Sequence, residues 1–286
     1  MNRLIDLADG RSLEVHEAGD PDGFPVIVHH GCPGSGVLYS RWEGDGVRLI
    51  GLDRAGYGGS SRDRGRAVGA VAADVEALAD ALELERFATW GISGGGPHAL
   101  ACAALCGTRL TAAASLAGVA PWGADGLDWL EGMGDDNVEE FDLVLAGEEA
   151  LTPAIERDRM ELLAATPDGL REAWATLLGD ADRAATTGSL ADWLVASIAH
   201  GISETGNGWI DDNLAFVADW GFEPASIERP VLIVQGGDDR FVPPSHGAWL
   251  AARVPGREAW LDDAHGHLTI LEDLIPDVHA WLLAHS

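Results

Sequence analysis

Lysine is absent from this chain: all 18 basic residues are arginine, set against 47 aspartates and glutamates, for a formal net charge of −29. A field of that sign repels phosphate backbones and anionic bilayers, which excludes nucleic acid and membrane surfaces as partners. The missing lysine reads as coding bias and carries no function. Cysteine is scarce as well. Cys32, Cys102 and Cys106 are odd in number and lack C-x-x-C spacing, which argues against a disulfide framework or a zinc site, so no metal is expected. Cys102 and Cys106 lie four apart on a predicted helix and read as small core residues. No run reaches the ~20 apolar residues of a membrane span, and the start, Met1-Asn2-Arg3-Leu4-Ile5-Asp6, has no apolar leader core. A cytoplasmic protein is expected, without repeats or low-complexity tracts.

What is present is glycine (37 residues), tryptophan (11) and enough hydrophobic residues (47%) for one large α/β domain with an inserted subdomain. The chain is organised around Gly91-Ile92-Ser93-Gly94-Gly95. This G-x-S-x-G pattern marks a sharp strand-to-helix turn that lifts a serine hydroxyl clear of a sheet, with glycines where a neighbouring Cβ would collide. The pattern is short and needs its context. Arg3–Leu7 and Ser12–His16 flank Asp9-Gly10, a hairpin signal. Pro25–His29 and Val47–Leu52 are apolar strands, each ending in a glycine-rich loop. Val68–Leu84 has helical apolar spacing, Phe87–Gly91 is a strand, Gly94–Cys106 a helix with Pro97 in its first turn, and Leu110–Leu116 a strand. Strand, turn and helix in this order predict a mostly parallel sheet flanked by helices, with Ser93 at the carboxyl end of a central strand.

From Trp122 to Ile227 the pattern changes to consecutive helices: Val138–Leu145, Pro153–Ala165, Gly169–Leu178, Ser189–Ile198 and Asn213–Trp220. The sheet resumes at Pro230–Gln235 and Glu258–Leu261, and the chain closes on one helix, Leu268–Ala284. The predicted organisation is a core of residues 1–121 and 228–286 with an inserted helical cap, 122–227.

A serine hydroxyl needs a base within hydrogen-bond reach and a third group to orient that base. His265-Gly266-His267 offers two histidines late in the chain, and Asp238-Asp239 two carboxylates before them. The order serine, aspartate, histidine is the one expected with a G-x-S-x-G elbow. An oxyanion needs preorganised N–H donors, and the residue after the nucleophile, Gly94, supplies one. Gly94-x-Gly96-x-x-Ala99 formally matches a dinucleotide fingerprint, but no acidic residue ends the following strand, and no cofactor is expected.

Several motifs together carry a resemblance: His30-Gly31-Cys32-Pro33-Gly34, Asp53-Arg54-x-Gly56-x-Gly58-x-Ser60, Gly91–Gly95, Asp239-Arg240-Phe241-Val242-Pro243 and Gly266-His267. From about residue 20 onward, much of the cap excepted, the chain resembles capped α/β-hydrolases. The resemblance implies Asp239 rather than Asp238 as the acid, His267 rather than His265 as the base, and the Cys32 N–H as the second oxyanion donor. His30 and Asp53-Arg54 then serve mainly as braces, with His30 also a candidate substrate contact. Relatives that open epoxides or displace halide carry aspartate at the elbow, so Ser93 favours acyl transfer to water or cleavage of a carbon–carbon bond beside a ketone. The loop at His30 also resembles that of proline iminopeptidases, which usually have tryptophan where this chain has Gly94.

The expected activity is hydrolysis of a small, largely apolar ester. The alternatives are an aminopeptidase, a carbon–carbon bond hydrolase and a non-catalytic small-molecule receptor; a homodimer is compatible with all of them. The cap carries Trp122, Trp129, Trp174, Trp193, Trp209 and Trp220, some of which are expected to line an apolar pocket, with Trp122, Trp129 and Trp209 the leading candidates. Asp135-Asp136-x-x-Glu139-Glu140 reads as a solvated helix start, or as a lure for a substrate amine.

Overall fold

The Asp9-Gly10 turn is where the chain first doubles back. Gly10 takes φ +88°, and strands β1 (Asn2–Asp6) and β2 (Ser12–Gly19) pair antiparallel with Arg3 opposite Val15. The computed structural model describes residues 2–286, leaving Met1 outside them. Six more strands follow: β3 (Phe24–His29), β4 (Val47–Leu52), β5 (Phe87–Ile92), β6 (Leu110–Leu116), β7 (Val231–Gly236) and β8 (Glu258–Asp262). They form one sheet in the order β1-β2-β4-β3-β5-β6-β7-β8, parallel from β4 to β8. Strands β5, β6 and β7 are buried at every position, as expected where helices cover both faces.

Helices α1 (Val71–Ala81), α2 (Gly95–Leu105), α9 (Pro244–Arg253), α10 (Thr269–Asp273) and α11 (Ile275–Ala284) accompany the sheet. Between β6 and β7 lie six more: α3 (Asp135–Ala146), α4 (Glu148–Leu163), α5 (Pro167–Ala173), α6 (Asp180–Ala185), α7 (Gly188–Gly201) and α8 (Asn207–Val217). Cys102 and Cys106 are buried against the core with free thiols, the packing role expected of them.

Four helix expectations need correction, and in the first α5 (Pro167–Ala173) starts two residues earlier than Gly169 and ends five before Leu178. α4 begins at Glu148, not at Pro153, because Gly147 (φ +101°) starts the turn and two glutamates favour its N-terminus. Pro153 sits inside the helix. The closing segment is two helices, α10 and α11, with Pro276 in the first turn of the second. α8 starts six residues earlier than predicted, at Asn207, whose N–H is taken by Thr205 Oγ1 at 2.7 Å. Helices α6 and α9 had no counterpart in the prediction.

One buried ion cluster joins the helical segment to the sheet. Asp212, on α8, lies 2.6 Å from both Arg54 Nη2 and Arg66 Nη2, and Tyr57 Oη donates to it at 3.0 Å. Burial alone would raise the Asp212 pKa, but the two guanidiniums outweigh it and hold the carboxyl well below the usual range. Removing one member of such a cluster leaves an uncompensated buried charge, which costs about 3–5 kcal/mol. Asp212→Ala is therefore expected to lower the unfolding free energy by that amount, read as a shift of the urea midpoint. An unchanged midpoint would show that the arginines find other partners.

Candidate active site

Strand order brings the site together. β5 lies between β3 and β6, so the loops after β3 and β6 flank its carboxyl end; β7 and β8 follow as neighbours, and the loops after them adjoin. Ser93 follows β5 directly, at φ +55°, a left-handed conformation that few side chains adopt. Its N–H donates to Leu116 O at 2.9 Å and its carbonyl accepts from Gly96 N at 2.8 Å, which fixes the strained turn. The flanking glycines are required. A Cβ on Gly91 would lie 2.1 Å from Gly95 O, and one on Gly95 would lie 2.2 Å from His29 O.

Asp239 and His267 come from the loops after β7 and β8. His267 Nδ1–H donates to Asp239 Oδ2 at 2.8 Å, and both residues are buried. Gln235 Nε2 also donates to Oδ2, at 3.1 Å, while the Phe241 and Val242 N–H groups donate to Oδ1 at 2.9 and 2.8 Å. The Phe241 ring stacks on His267 with 4.7 Å between centroids. Burial works to lower the His267 pKa, but the charge and hydrogen bond of Asp239, with help from Asp182, outweigh it and leave it raised.

Asp182 was not singled out from the sequence. It sits on α6, fully buried, and accepts from the N–H groups of His267, Leu268 and Thr269 at 2.7, 2.8 and 2.9 Å. It is a positioning residue for the histidine loop. Nothing local marks it, because its partners lie 85 to 87 positions downstream. Asp238 and His265, the neighbours that the resemblance passes over, are each tied into the fold. Asp238 Oδ2 accepts from Ala181 N at 3.0 Å, at the start of α6, and His265 Nδ1 meets Asp262 Oδ2 at 3.0 Å.

Cys32 and Gly94 touch: a Cβ on Gly94 would lie 2.8 Å from that of Cys32. The Cys32 Sγ is paired with Tyr57 Oη at 3.2 Å, and burial pushes the thiol pKa well up, so only its backbone is suited to chemistry. Behind it, Arg54 Nη1 and Nη2 donate to the carbonyls of His30 and Gly31 at 2.5 and 3.2 Å. His30 donates from Nδ1 to Gly31 O at 2.6 Å and accepts the Arg54 N–H on Nε2 at 3.3 Å. Burial, then the Arg54 charge, lowers its pKa to about 3. His30 borders the cavity as a neutral brace, and both ring nitrogens are engaged with backbone.

Ser93 lines two neighbouring spaces. A narrow apolar cleft is lined by Ser93 and His267 with Trp42, Trp174, Trp193 and Phe241. A wider chamber, about 500 Å3, shares Ser93, Cys32 and Trp174 and adds Gly94, Glu140 and Trp209. Of the predicted pocket tryptophans, Trp209 therefore lines the chamber. Trp122 and Trp129 line neither space and are corrected. Trp129 Nε1 donates to Ala120 O at 2.7 Å, and its ring packs on Phe141, His246 and Trp122 at 4.5, 5.1 and 5.2 Å. His246 fixes that segment by accepting from Ala120 N and donating to Trp129 O, its pKa lowered to about 4 by burial. Trp174 and Trp193, from the wider set of six, occupy the lining positions instead.

Glu140 also departs from the solvated reading of its helix start. Oε1 accepts from Trp209 Nε1 at 3.1 Å and from Asn213 Nδ2 at 2.7 Å, and burial raises its pKa to about 7 against those two hydrogen bonds. Asp135, Asp136 and Glu139 remain exposed as expected.

Residues 25–274 match the family model described as alpha/beta hydrolase fold, and the chain belongs to that family: it is an α/β-hydrolase. Among individual relatives, it is 27% identical to a non-heme chloroperoxidase of Streptomyces lividans over 294 residues, covering 97% of this chain and 98% of the relative. A probable proline iminopeptidase of Streptomyces coelicolor is 33% identical over 103 residues, 32% of each chain. An esterase from Exiguobacterium antarcticum shares the fold with a TM-score of 0.73 at 20% identity, covering 99% of this chain and 100% of that one. None of the helices described is long and apolar enough to cross a membrane.

Proposed function

We propose that the protein is a cofactor-free serine hydrolase of small, largely apolar esters or related acyl compounds, with residues 122–227 acting as a cap over the site. One observation carries this reading: a buried, Asp239-bonded His267 lines the same cleft as a serine held at φ +55°. Asp239 occupies Nδ1 of His267, which leaves Nε2 as the nitrogen available to a serine proton. Ser93 Oγ attacks the acyl carbon while Nε2 takes its proton, and the Cys32 and Gly94 N–H groups hold the developing oxyanion. The carbonyl reforms as the leaving oxygen departs with that proton, giving an acyl-Ser93 ester. Water, deprotonated by His267, then releases the acid and restores the serine. The free thiols of Cys32, Cys102 and Cys106 suit a reducing cytoplasm. The test is a panel of ester, lactone, arylamide and diketone substrates with wild type and Ser93→Ala. Ester turnover that survives the substitution would reject the assignment.

A second reading, an aminopeptidase, is favoured by Glu140. The chamber beside Ser93 carries Asp136, Glu139, Asp158 and Glu161 besides Glu140. A carboxyl with pKa about 7 gains its charge through neutral pH and can then hold a substrate ammonium. Under this reading KM for an aminoacyl arylamide falls as pH rises through about 7, and Glu140→Gln removes that dependence without altering KM for a neutral ester. The same raised pKa means the folded state binds more protons than the unfolded one between about 4.5 and 7, so Glu140 makes stability fall as pH rises through that window. Glu140→Gln is expected to flatten that decline in Tm whichever reading of the activity holds.

A further inference from the structure

Away from the cavity, four metal-ligating side chains converge from three parts of the chain. Glu14 and His16 lie two apart on β2 and so leave the same face of the sheet. Asp53 directly follows β4, the neighbour of β2, and His200 stands in the last turn of α7. One donor atom from each lies within 4.8 Å of the other three. His200 Nε2 is 3.1 Å from Asp53 Oδ2 and 3.2 Å from Glu14 Oε2, and His16 Nε2 is 3.4 Å from Asp53 Oδ2. A tetrahedral zinc with bonds of about 2.0–2.1 Å to nitrogen and oxygen separates its ligand atoms by roughly 3.3 Å. Three edges of the cluster match that spacing.

Two further observations point to a ligand rather than a chance crowd. The Asp53 carboxylate is fully buried, and among the described residues its ion-pair partners are these two imidazoles, with no arginine. Its other oxygen accepts from Gly36 N at 2.5 Å, while Glu14 accepts from Gly59 N and Asn2 Nδ2. Two imidazole nitrogens thus converge on one oxygen of a buried carboxylate, and a divalent ion at that point would add counter-charge beside it. Two glycines also let the backbone pass close to the donors without displacing them. A Cβ on Gly58 (φ +48°) would lie 2.0 Å from Asp53 Oδ2 and 3.0 Å from His200 Nε2, and one on Gly59 would lie 2.6 Å from Glu14 Oε2.

We propose that Glu14, His16, Asp53 and His200 form a four-coordinate site for a divalent transition ion of the zinc type. With four protein ligands it has no open position and acts structurally. It would join β2, the loop after β4 and α7 at one centre, and the side chain of His200, 32% exposed, leaves an entry path. The consequence reaches the cleft from behind. α7 supplies Leu194, Ser197 and Ile198 to its lining, and Asp53 holds Gly36, in the loop that carries Cys32. Cysteine spacing could not reveal this site, since His200 lies 186 positions from Glu14.

The test is titration of chelator-dialysed protein with Zn2+ against a competing dye, and with Co2+ followed by visible absorption. Wild type is expected to take one tight equivalent of Zn2+, to gain thermal stability from it, and to give the intense Co2+ band of tetrahedral coordination. His16→Gln and His200→Gln, which keep an N–H donor toward Asp53 but are poor ligands, should each weaken Zn2+ binding by about 100-fold or more. The exposed His285→Gln should leave it unchanged. Absence of stoichiometric Zn2+ binding in wild type, or binding that survives both substitutions, would overturn the site. A wild-type Co2+ adduct lacking the tetrahedral band would do so even if the variants failed to fold, and would leave His200 as a protonated counter-ion.

Discussion

Ser93→Ala is expected to abolish covalent labelling by a fluorophosphonate and to lower kcat by about 10^6-fold, the scale seen when a triad nucleophile is removed. The change deletes one oxygen and leaves the backbone requirement untouched, since alanine and serine bear the same Cβ at φ +55°. Thermal stability should therefore hold while activity is lost. That split separates a nucleophile from a structural serine. Labelling of Ser93→Ala at the wild-type rate would place the nucleophile elsewhere. Residual turnover near 10^3-fold over water would be consistent with an oxyanion site at Cys32 and Gly94 working alone.

Asp239→Asn is expected to lower kcat by about 10^4-fold. The four donors around this carboxylate explain why an amide cannot substitute. If the amide oxygen faces His267 Nδ1–H and Gln235 Nε2, its NH2 confronts the N–H groups of Phe241 and Val242. In the reverse orientation NH2 faces His267, which then holds its proton on Nε2, where a base is needed. The acid limb of the pH–rate profile should also move to lower pH, because the Asp239 charge that raises the His267 pKa is gone. Asp238→Asn is the control. Asp238 accepts one backbone N–H, from Ala181, which an amide oxygen can also accept, so kcat should stay within about tenfold. Equal losses for the two variants would assign the wrong carboxylate.

What was legible in the sequence follows the range of the signals. Gly91–Gly95 declares itself because strand, strained turn and helix are contiguous, and the glycines at 91 and 95 answer collisions with backbone a few residues away or on the next strand. Strands β4 and β6 were read to the residue because short apolar runs between turn signals are local patterns. The helices between β6 and β7 were read with shifted ends, because Pro153 normally marks a helix start and here sits beyond one. The tryptophans show the limit best. Nothing in the immediate neighbourhood of Trp129 distinguishes it from Trp174. One is claimed by His246, 117 positions away, and the other turns its ring to Phe241 at 5.3 Å in the cavity lining. Asp182, Asp212 and His200 were likewise invisible, since each draws its role from partners brought near only by the finished sheet.

Helix α6, six residues long, holds both loops behind Ser93. Asp182 anchors the histidine loop and the Ala181 N–H anchors the aspartate loop through Asp238. The segment between β6 and β7 is therefore not an exchangeable module. α3 adds to the hold, since Asn137 Nδ2 donates to Phe241 O at 3.0 Å, and a transplanted segment lacking this clasp would loosen His267 and Asp239 together. If Ser93, Asp239 and His267 act as proposed, the segment that shapes the chamber also sets the alignment of the base and its acid, so the two could not be altered independently.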